Sequence, residues 1–322
     1  MKKNKEGIKL RTVFMGTSAF AEAILSSLLD ENYNIISAYT RPDKKVGRDQ
    51  EIQKSAVKIT AENNKIPIYD PKKFDDDVIG ELRNQKPDLI IVAAYGRILP
   101  KAVLEMPGFG AINVHTSLLP KYRGPSPIQN AILNGETETG ATIMLMDEGI
   151  DTGDILNQKK IDIGKDEIYP ELSRRLSDLS AELLLETIPP WIERKITPIK
   201  QEHDKATLCQ LIERADGKIL WSDDAKNIYD KFRAFQPWPG VYSFWEHNGQ
   251  LKRIKLEQIG LMKNNSQSKH RLGEVFQIGE KIVVQTNSEA IALEEVQLEG
   301  KEKVKIEDFM NGYSNFIGSI LK

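Results

Sequence analysis

Ile8-Lys9-Leu10-Arg11-Thr12-Val13-Phe14-Met15 breaks at Gly16-Thr17-Ser18, and the chain then continues with apolar residues at Ala21, Ile24, Leu25 and Leu28. The run is strand-like, and the later spacing is that of one helix face. Thr17 or Ser18 supplies an N-cap. Working outward, strands are expected at Ile35–Thr40, Ile66–Tyr69, Asp88–Ala94 and Gly110–Val114, with helical patterns at Ser55–Asn64 and Asp76–Gln85. Strands that alternate with helices imply an α/β fold whose doubly wound, mostly parallel sheet is covered by helices. Such sheets bind ligands beyond the carboxyl ends of their strands, so the residues after Ala94 and the stretch Asn113–Ser117 are favoured site positions.

The chain has 322 residues, enough for about two domains. A further helical pattern covers Tyr169–Glu186, and Pro189-Pro190-Trp191, Pro198 and a polar run then read as a linker. The expected division is residues 1–190, a linker at 191–206, and a second domain at 207–322. Within the second, a helix near Asp224–Phe235 precedes strands at Val241–Glu246, Leu251–Ile259, Gly273–Ile278, Lys281–Gln285 and Ile291–Glu299. Closely spaced short strands suggest a small, OB-like β-barrel. Lys263–Lys269 reads as an exposed loop between two of them.

Lys plus Arg number 45 and Asp plus Glu 47, so net charge points to no partner class. The lone Cys209 excludes an internal disulfide and a thiolate metal cluster, which fits a reducing compartment. Neither a signal peptide nor a membrane span is expected, because the basic start is followed by alternation and not by an unbroken apolar run. A cytoplasmic monomer is the expectation.

Chemistry concentrates in Asn113-Val114-His115, Ser117-Leu118-Leu119-Pro120-Lys121-Tyr122-Arg123-Gly124 and Met146-Asp147-Glu148-Gly149-Ile150-Asp151-Thr152-Gly153-Asp154. Residues two apart in a strand share a face, so Asn113 and His115 project together as a donor pair. A histidine in an apolar strand is ordinarily a satisfied core residue. His115 differs from His203, His247 and His270 in having an amide partner and a Pro-Gly-rich turn beside it. Asp151 lies in a loop that reads equally as a turn or cap aspartate. If it reaches His115, it favours the protonated ring and fixes its orientation. The cluster has no covalent nucleophile, since Ser117 lacks a G-x-S-x-G turn and Cys209 is expected in the second domain. An amide N–H and a cationic imidazole suit an oxyanion, so direct acyl transfer to an external amine is the expected reaction. Gly16-Thr17-Ser18 lacks G-x-G-x-x-G and gives little support to a dinucleotide-binding module.

Asn-x-His, Ser-Leu-Leu-Pro-x-Tyr-Arg-Gly and the later Asp-x-Gly-Asp together resemble the folate-dependent formyltransferases. The likeness extends through Ala94-Tyr95-Gly96-Arg97-Ile98-Leu99-Pro100 and Arg233-Ala234-Phe235-x-Pro237-Trp238-Pro239. It implies a formyltransferase-like Rossmann domain followed by the OB-like barrel, with 10-formyltetrahydrofolate as co-substrate and no metal. The implied acceptor is the amino group of methionine charged on initiator tRNA, held in part by the barrel; the alternative is an amino-sugar nucleotide. By the same resemblance Asn113, His115 and Asp151 are catalytic, and Ser117, Leu118, Leu119 and Pro120 contact folate. Tyr122 and Arg123 fit either loop packing or substrate contact.

In Thr40-Arg41-Pro42-Asp43-Lys44-Lys45-Val46-Gly47-Arg48, the resemblance assigns Arg48 to the tRNA acceptor end, a natural phosphate contact. Asp49-Gln50-Glu51 follow where relatives carry basic residues, which lowers the local positive charge. Residues 205–322 hold 17 Lys plus Arg against 16 Asp plus Glu. A basic face there requires Lys226, Lys231, Arg233, Lys252, Arg253 and Lys255 to gather on one side. Trp221, Trp238 and Trp245 are expected in the barrel core.

Overall fold

A computed structural model describes residues 10–46, 51–263 and 270–322 and divides the chain into two compact units. The first gathers residues up to Pro127 with Glu138–Asp162 and Leu172–Gln210; the second gathers Ile128–Thr137, Ile163–Glu171 and Leu211–Lys322.

The first unit contains, in chain order, β1 (Thr12–Gly16), α1 (Ala19–Asp30), β2 (Ile35–Tyr39), the antiparallel pair β3 (Lys44–Val46) and β4 (Glu51–Gln53), and α2 (Ala56–Asn63). It continues with β5 (Ile68–Tyr69), α3 (Asp76–Asn84), β6 (Leu89–Ala93), α4 (Lys101–Leu104) and β7 (Ala111–His115). After α5 (Pro127–Leu133), which belongs to the second unit from Ile128 on, come β8 (Glu138–Leu145), β9 (Ile155–Asp162) and α6 (Tyr169–Ile192), which belongs to the first unit from Leu172 on. Ser18 caps α1 by accepting the Ala21 N–H. The sheet order is β5-β2-β1-β6-β7-β8-β9, parallel as far as β7 and antiparallel beyond it. Strand order therefore reverses between β1 and β6, the kind of point at which such sheets bind ligands beyond the carboxyl ends of their strands.

Alternation along the strands decides what reaches each face. Phe14, Ile91, Ile112 and Val114 pack with Ile24 and Leu25 of α1 and Leu184 and Ile188 of α6. Val13, Met15, Ile90, Val92 and Ala111 pack on the opposite face with Leu82 of α3 and Val103 and Leu104 of α4. A one-residue slip would turn both sets over. Asn113 and His115 follow Ala111 on the second face.

The second unit contains α7 (Ala225–Ala234), β10 (Val241–His247), β11 (Gln250–Met262), β12 (Val275–Ile278), β13 (Lys281–Gln285), β14 (Ala290–Leu298), β15 (Lys303–Lys305) and α8 (Ile306–Gly312). Its antiparallel order is β10-β11-β14-β13-β12, with β15 paired to β14. The final residues join the two ends of that order. Gly318 N–H bonds Val275 O at 2.8 Å, and Val275 N–H bonds Ser319 O at 2.9 Å, while Lys322 and Phe244 exchange backbone bonds of 2.8 and 3.0 Å. Residues 318–322 thus lie between β12 and β10 and close the sheet into a small barrel, which removes its exposed edges. Trp221 fastens this seam: its indole N–H donates to Ser243 Oγ at 2.9 Å, and that hydroxyl donates to Lys322 O at 3.0 Å. Trp221→Phe is expected to cost about 1–3 kcal/mol through the lost hydrogen bond to a buried hydroxyl and the lost volume, read from the urea midpoint.

Several expectations are corrected. The stretch 191–206 is not a free linker, because α6 runs through Pro189 and Pro190 to Ile192, and Ile199 forms a bridge with Ile155. Burial of Ile188 and the Trp191 indole bond to Phe109 O at 2.9 Å hold the helix across prolines that end an unsupported one. Trp221 and Trp245 are core residues, whereas Trp238 is 53% exposed. Three of the six cations proposed for a basic face are paired with carboxylates: Arg233 is buried on Asp230, Lys226 bonds the same carboxylate, and Lys255 pairs with Glu257. The loop residues 264–269 lie outside the described residues. Among the described residues no helix is long and apolar enough to cross a membrane.

Candidate active site

The carboxyl end of β7 carries Asn113 and His115 on one face, and the loop after β8 folds Asp151 against both. Asn113 Nδ2 donates to Asp151 Oδ1 at 3.2 Å. His115 Nδ1 stands 3.5 Å from Asp151 Oδ2, a charge contact looser than a hydrogen bond. The second carboxylate oxygen also accepts the Gly124 N–H at 2.8 Å. One carboxylate therefore gathers a strand amide, an imidazole and a loop N–H. Asp151 adopts φ 52°, the left-handed region that non-glycine residues seldom occupy. Asp147 shapes the same loop by accepting the Gly149 N–H at 3.0 Å and the Thr152 hydroxyl at 2.6 Å.

His115 is only 6% exposed, and its Nε2 lies 3.0 Å from Tyr122 O. An acceptor thus faces each ring nitrogen. The second N–H of Asn113 has no protein partner among the described residues, which leaves it available to an incoming acceptor.

The loop from Ser117 to Gly124 is held from beneath. Ser117 is fully buried, and its hydroxyl donates to Lys121 O at 2.6 Å. Thr142 donates to Ser117 O at 2.6 Å and accepts the Leu119 N–H at 3.2 Å, while Gln158 Nε2 donates to Leu119 O at 2.8 Å. Leu119 packs with Met144 and Ile155. Ser117 and Leu119 therefore build the loop, and Leu118 and Pro120 are its half-buried members. Arg123 is buried on Gln201 and His203, which resolves it as a loop-packing residue.

The segment 207–209, expected in the second domain, groups with the first unit and braces the far side of this loop. Thr207 Oγ1 accepts the Tyr122 N–H at 2.8 Å, and Cys209 N–H donates to Arg123 O at 2.8 Å. Gly124 has φ +114°, and a Cβ there would stand 2.5 Å from Cys209 O, so both conformation and space require glycine. Burial and then the Asp151 charge push the Cys209 thiol up, against a downward pull from a backbone bond with Ser126. A neutral buried thiol is a poor nucleophile.

Sequence reading missed Thr142, Gln158, Gln201 and Thr207, because isolated polar residues at these positions carry no motif signal. Arg48 lies outside the described residues. Among the described residues no group of three or more His, Cys, Asp or Glu side chains is arranged to hold a metal ion.

Comparisons with known proteins agree on a family. The formyl transferase model matches residues 10–188, and the formyl transferase C-terminal domain model matches 211–314. A methionyl-tRNA formyltransferase from Caldicellulosiruptor saccharolyticus is 41% identical over 313 residues, covering 96% of this chain and 99% of the relative. One from Alkaliphilus oremlandii is 38% identical over 314 residues, covering 97% and 99%. Among solved structures, HypX from Aquifex aeolicus in complex with tetrahydrofolic acid aligns with TM-score 0.64 at 18% identity, over 96% of this chain and 48% of that one. An N-formyltransferase from Helicobacter canadensis, with folinic acid and dTDP-3-aminofucose, aligns with TM-score 0.62 at 21% identity, over 88% and 98%. At these identities the structural likenesses speak for the fold.

Proposed function

Because this chain belongs to the formyl transferase family, we propose that it moves a formyl group from 10-formyltetrahydrofolate to the amino group of methionine charged on initiator tRNA. The observation that carries the chemical part is the Asp151 carboxylate drawing Asn113, His115 and Gly124 together at the end of β7. The acceptor amine attacks the formyl carbon, a C–N bond forms, and the formyl oxygen takes up negative charge. Asn113 meets that charge with its second N–H, its first being fixed by Asp151. Such a donor is worth about 3–4 kcal/mol when it is preorganised.

His115 is held by Tyr122 O on one side and faces Asp151 on the other, which fixes the ring beside Asn113, where the oxyanion forms. Contacts of this kind are characteristically loose before substrate binds and tighten in the reacting complex. Collapse of the tetrahedral carbon breaks its bond to the folate nitrogen, which receives a proton as the attacking nitrogen loses one. His115 and Asp151 are the titratable pair beside this exchange. Leu118 and Pro120 offer apolar loop surface to the flat folate ring, and Arg48 is assigned to the tRNA acceptor end. The cytoplasm supplies both substrates, and the reaction needs no metal.

The acceptor is tested by offering purified protein 10-formyltetrahydrofolate with either charged initiator tRNA or an amino-sugar nucleotide. Formyl uptake is expected on the tRNA. Preferential formylation of the sugar would overturn the assignment.

A further inference from the structure

Gln201 falls where composition reads a linker, yet it is 5% exposed and both ends of its amide are engaged. Its Nε2 donates to Asp151 O at 2.9 Å and to Gly153 O at 2.7 Å. Its Oε1 accepts from Arg123 Nε at 3.1 Å and Nη2 at 2.8 Å. A carboxamide has two donors and two acceptor sites in one plane, and this one uses all four. Two residues earlier, Ile199 and Ile155 exchange backbone bonds of 2.8 and 2.9 Å, which fixes where Gln201 enters.

The partners give the amide its significance. Asp151 holds the carboxylate of the site in a left-handed conformation, and Gln201 grips the carbonyl of that same residue. Arg123 lies between Tyr122, whose carbonyl meets His115, and Gly124, whose N–H meets Asp151. Gln201 therefore fastens the two loops that approach His115 to each other a second time, beside the direct Gly124–Asp151 bond. We infer that Gln201 is a positioning residue for formyl transfer, setting the spacing of Asp151, His115 and Asn113 without touching substrate. This rests on the function proposed above.

Two variants separate positioning from mere stability. Gln201→Glu keeps the shape but sets a carboxylate oxygen against two carbonyl oxygens. Gln201→Met keeps the length and removes every hydrogen bond. Each is compared with the unmodified protein for kcat, folate KM and the pH profile of kcat on charged initiator tRNA, with 5-formyltetrahydrofolate binding used to count intact sites. Both variants are expected to lose about tenfold or more in kcat per intact site, since small misplacements of reacting groups are costly. Folate KM and 5-formyltetrahydrofolate affinity should stay within about threefold, the signature of an interaction felt in the transition state. The pH profile of kcat should differ from that of the unmodified protein as the contacts of His115 with Asp151 and Tyr122 O change.

A kcat per intact site within about twofold, with an unmoved pH profile, would overturn the inference. So would failure of both variants to fold, which would make Gln201 a folding residue. An unmodified protein that ignores charged tRNA but formylates an amino-sugar nucleotide would overturn the acceptor alone, and the Gln201 comparison is then read on that acceptor by the same thresholds.

Discussion

Asp151→Asn is expected to lower kcat by about 10²–10³ while the protein stays folded and folate KM changes by only a few-fold. The two side chains have nearly the same shape, so the loss is one of hydrogen-bond polarity. Two donors bond the carboxylate, the Asn113 amide at 3.2 Å and the Gly124 N–H at 2.8 Å, and the His115 ring stands 3.5 Å from it. An asparagine has one oxygen to offer them, and its NH₂ is forced against the remaining donor. Asn113 is then released or turned, and His115 loses the charge opposite it. His115→Ala, which removes the ring from between Asp151 and Tyr122 O, should fall in the same range. Steady-state transfer to charged initiator tRNA decides the matter, and turnover within about tenfold of normal in both variants would remove this site from the chemistry.

Arg233→Ala is expected to destabilise the fold by about 3–5 kcal/mol, because it strands one half of a buried ion pair. Asp230 is 2% exposed and accepts Arg233 Nη2 at 2.6 Å and Nε at 3.2 Å. Lys226 also bonds this carboxylate but remains half exposed, so it is a weaker replacement. The other edge of the guanidinium, Nη1, donates to Glu167 O at 2.9 Å and Gly164 O at 3.4 Å. Removing it therefore costs two carbonyl bonds as well as a charge pair. Urea unfolding of the variant reads the loss directly, and a change below about 1 kcal/mol would mean that Lys226 takes over the pairing. The role is structural, and neutral replacement should leave the folded fraction able to bind folate.

What the sequence revealed and concealed follows from what each signal measures. The central strands were legible because their apolar runs are buried on both faces, and α1 because Ala21, Ile24, Leu25 and Leu28 fall on one stripe. The β9 strand was not, because its buried residues cluster at Ile155 and Leu156 and the rest alternates with exposed polar side chains. The end of α6 was hidden by Pro189 and Pro190, whose local penalty is outweighed by packing. At the site, Asn113 and His115 were readable as a pair from strand periodicity alone. Asp151 was a loop aspartate until geometry brought it to them. The likeness assigns Ser117, Leu118, Leu119 and Pro120 to folate contact, and it does not encode that the Ser117 hydroxyl and the Ser117 and Leu119 carbonyls also bond within the protein. Gln201 and Thr207 act through contacts more than 45 positions away in sequence, which no local pattern encodes.

The chain passes between its two units more than once, and this limits how it can be dissected. The ten residues Ile128–Thr137 and the stretch Ile163–Glu171 precede the proline-rich segment in sequence yet group with the barrel. A gene cut near codon 206 would give a carboxyl-terminal fragment whose Arg233 lacks the Gly164 and Glu167 carbonyls it binds. The complementary fragment would end with those same carbonyls deprived of their guanidinium. Chimeras that exchange the barrel between relatives therefore need three crossover blocks transplanted together, and a single splice would make a mismatched hybrid.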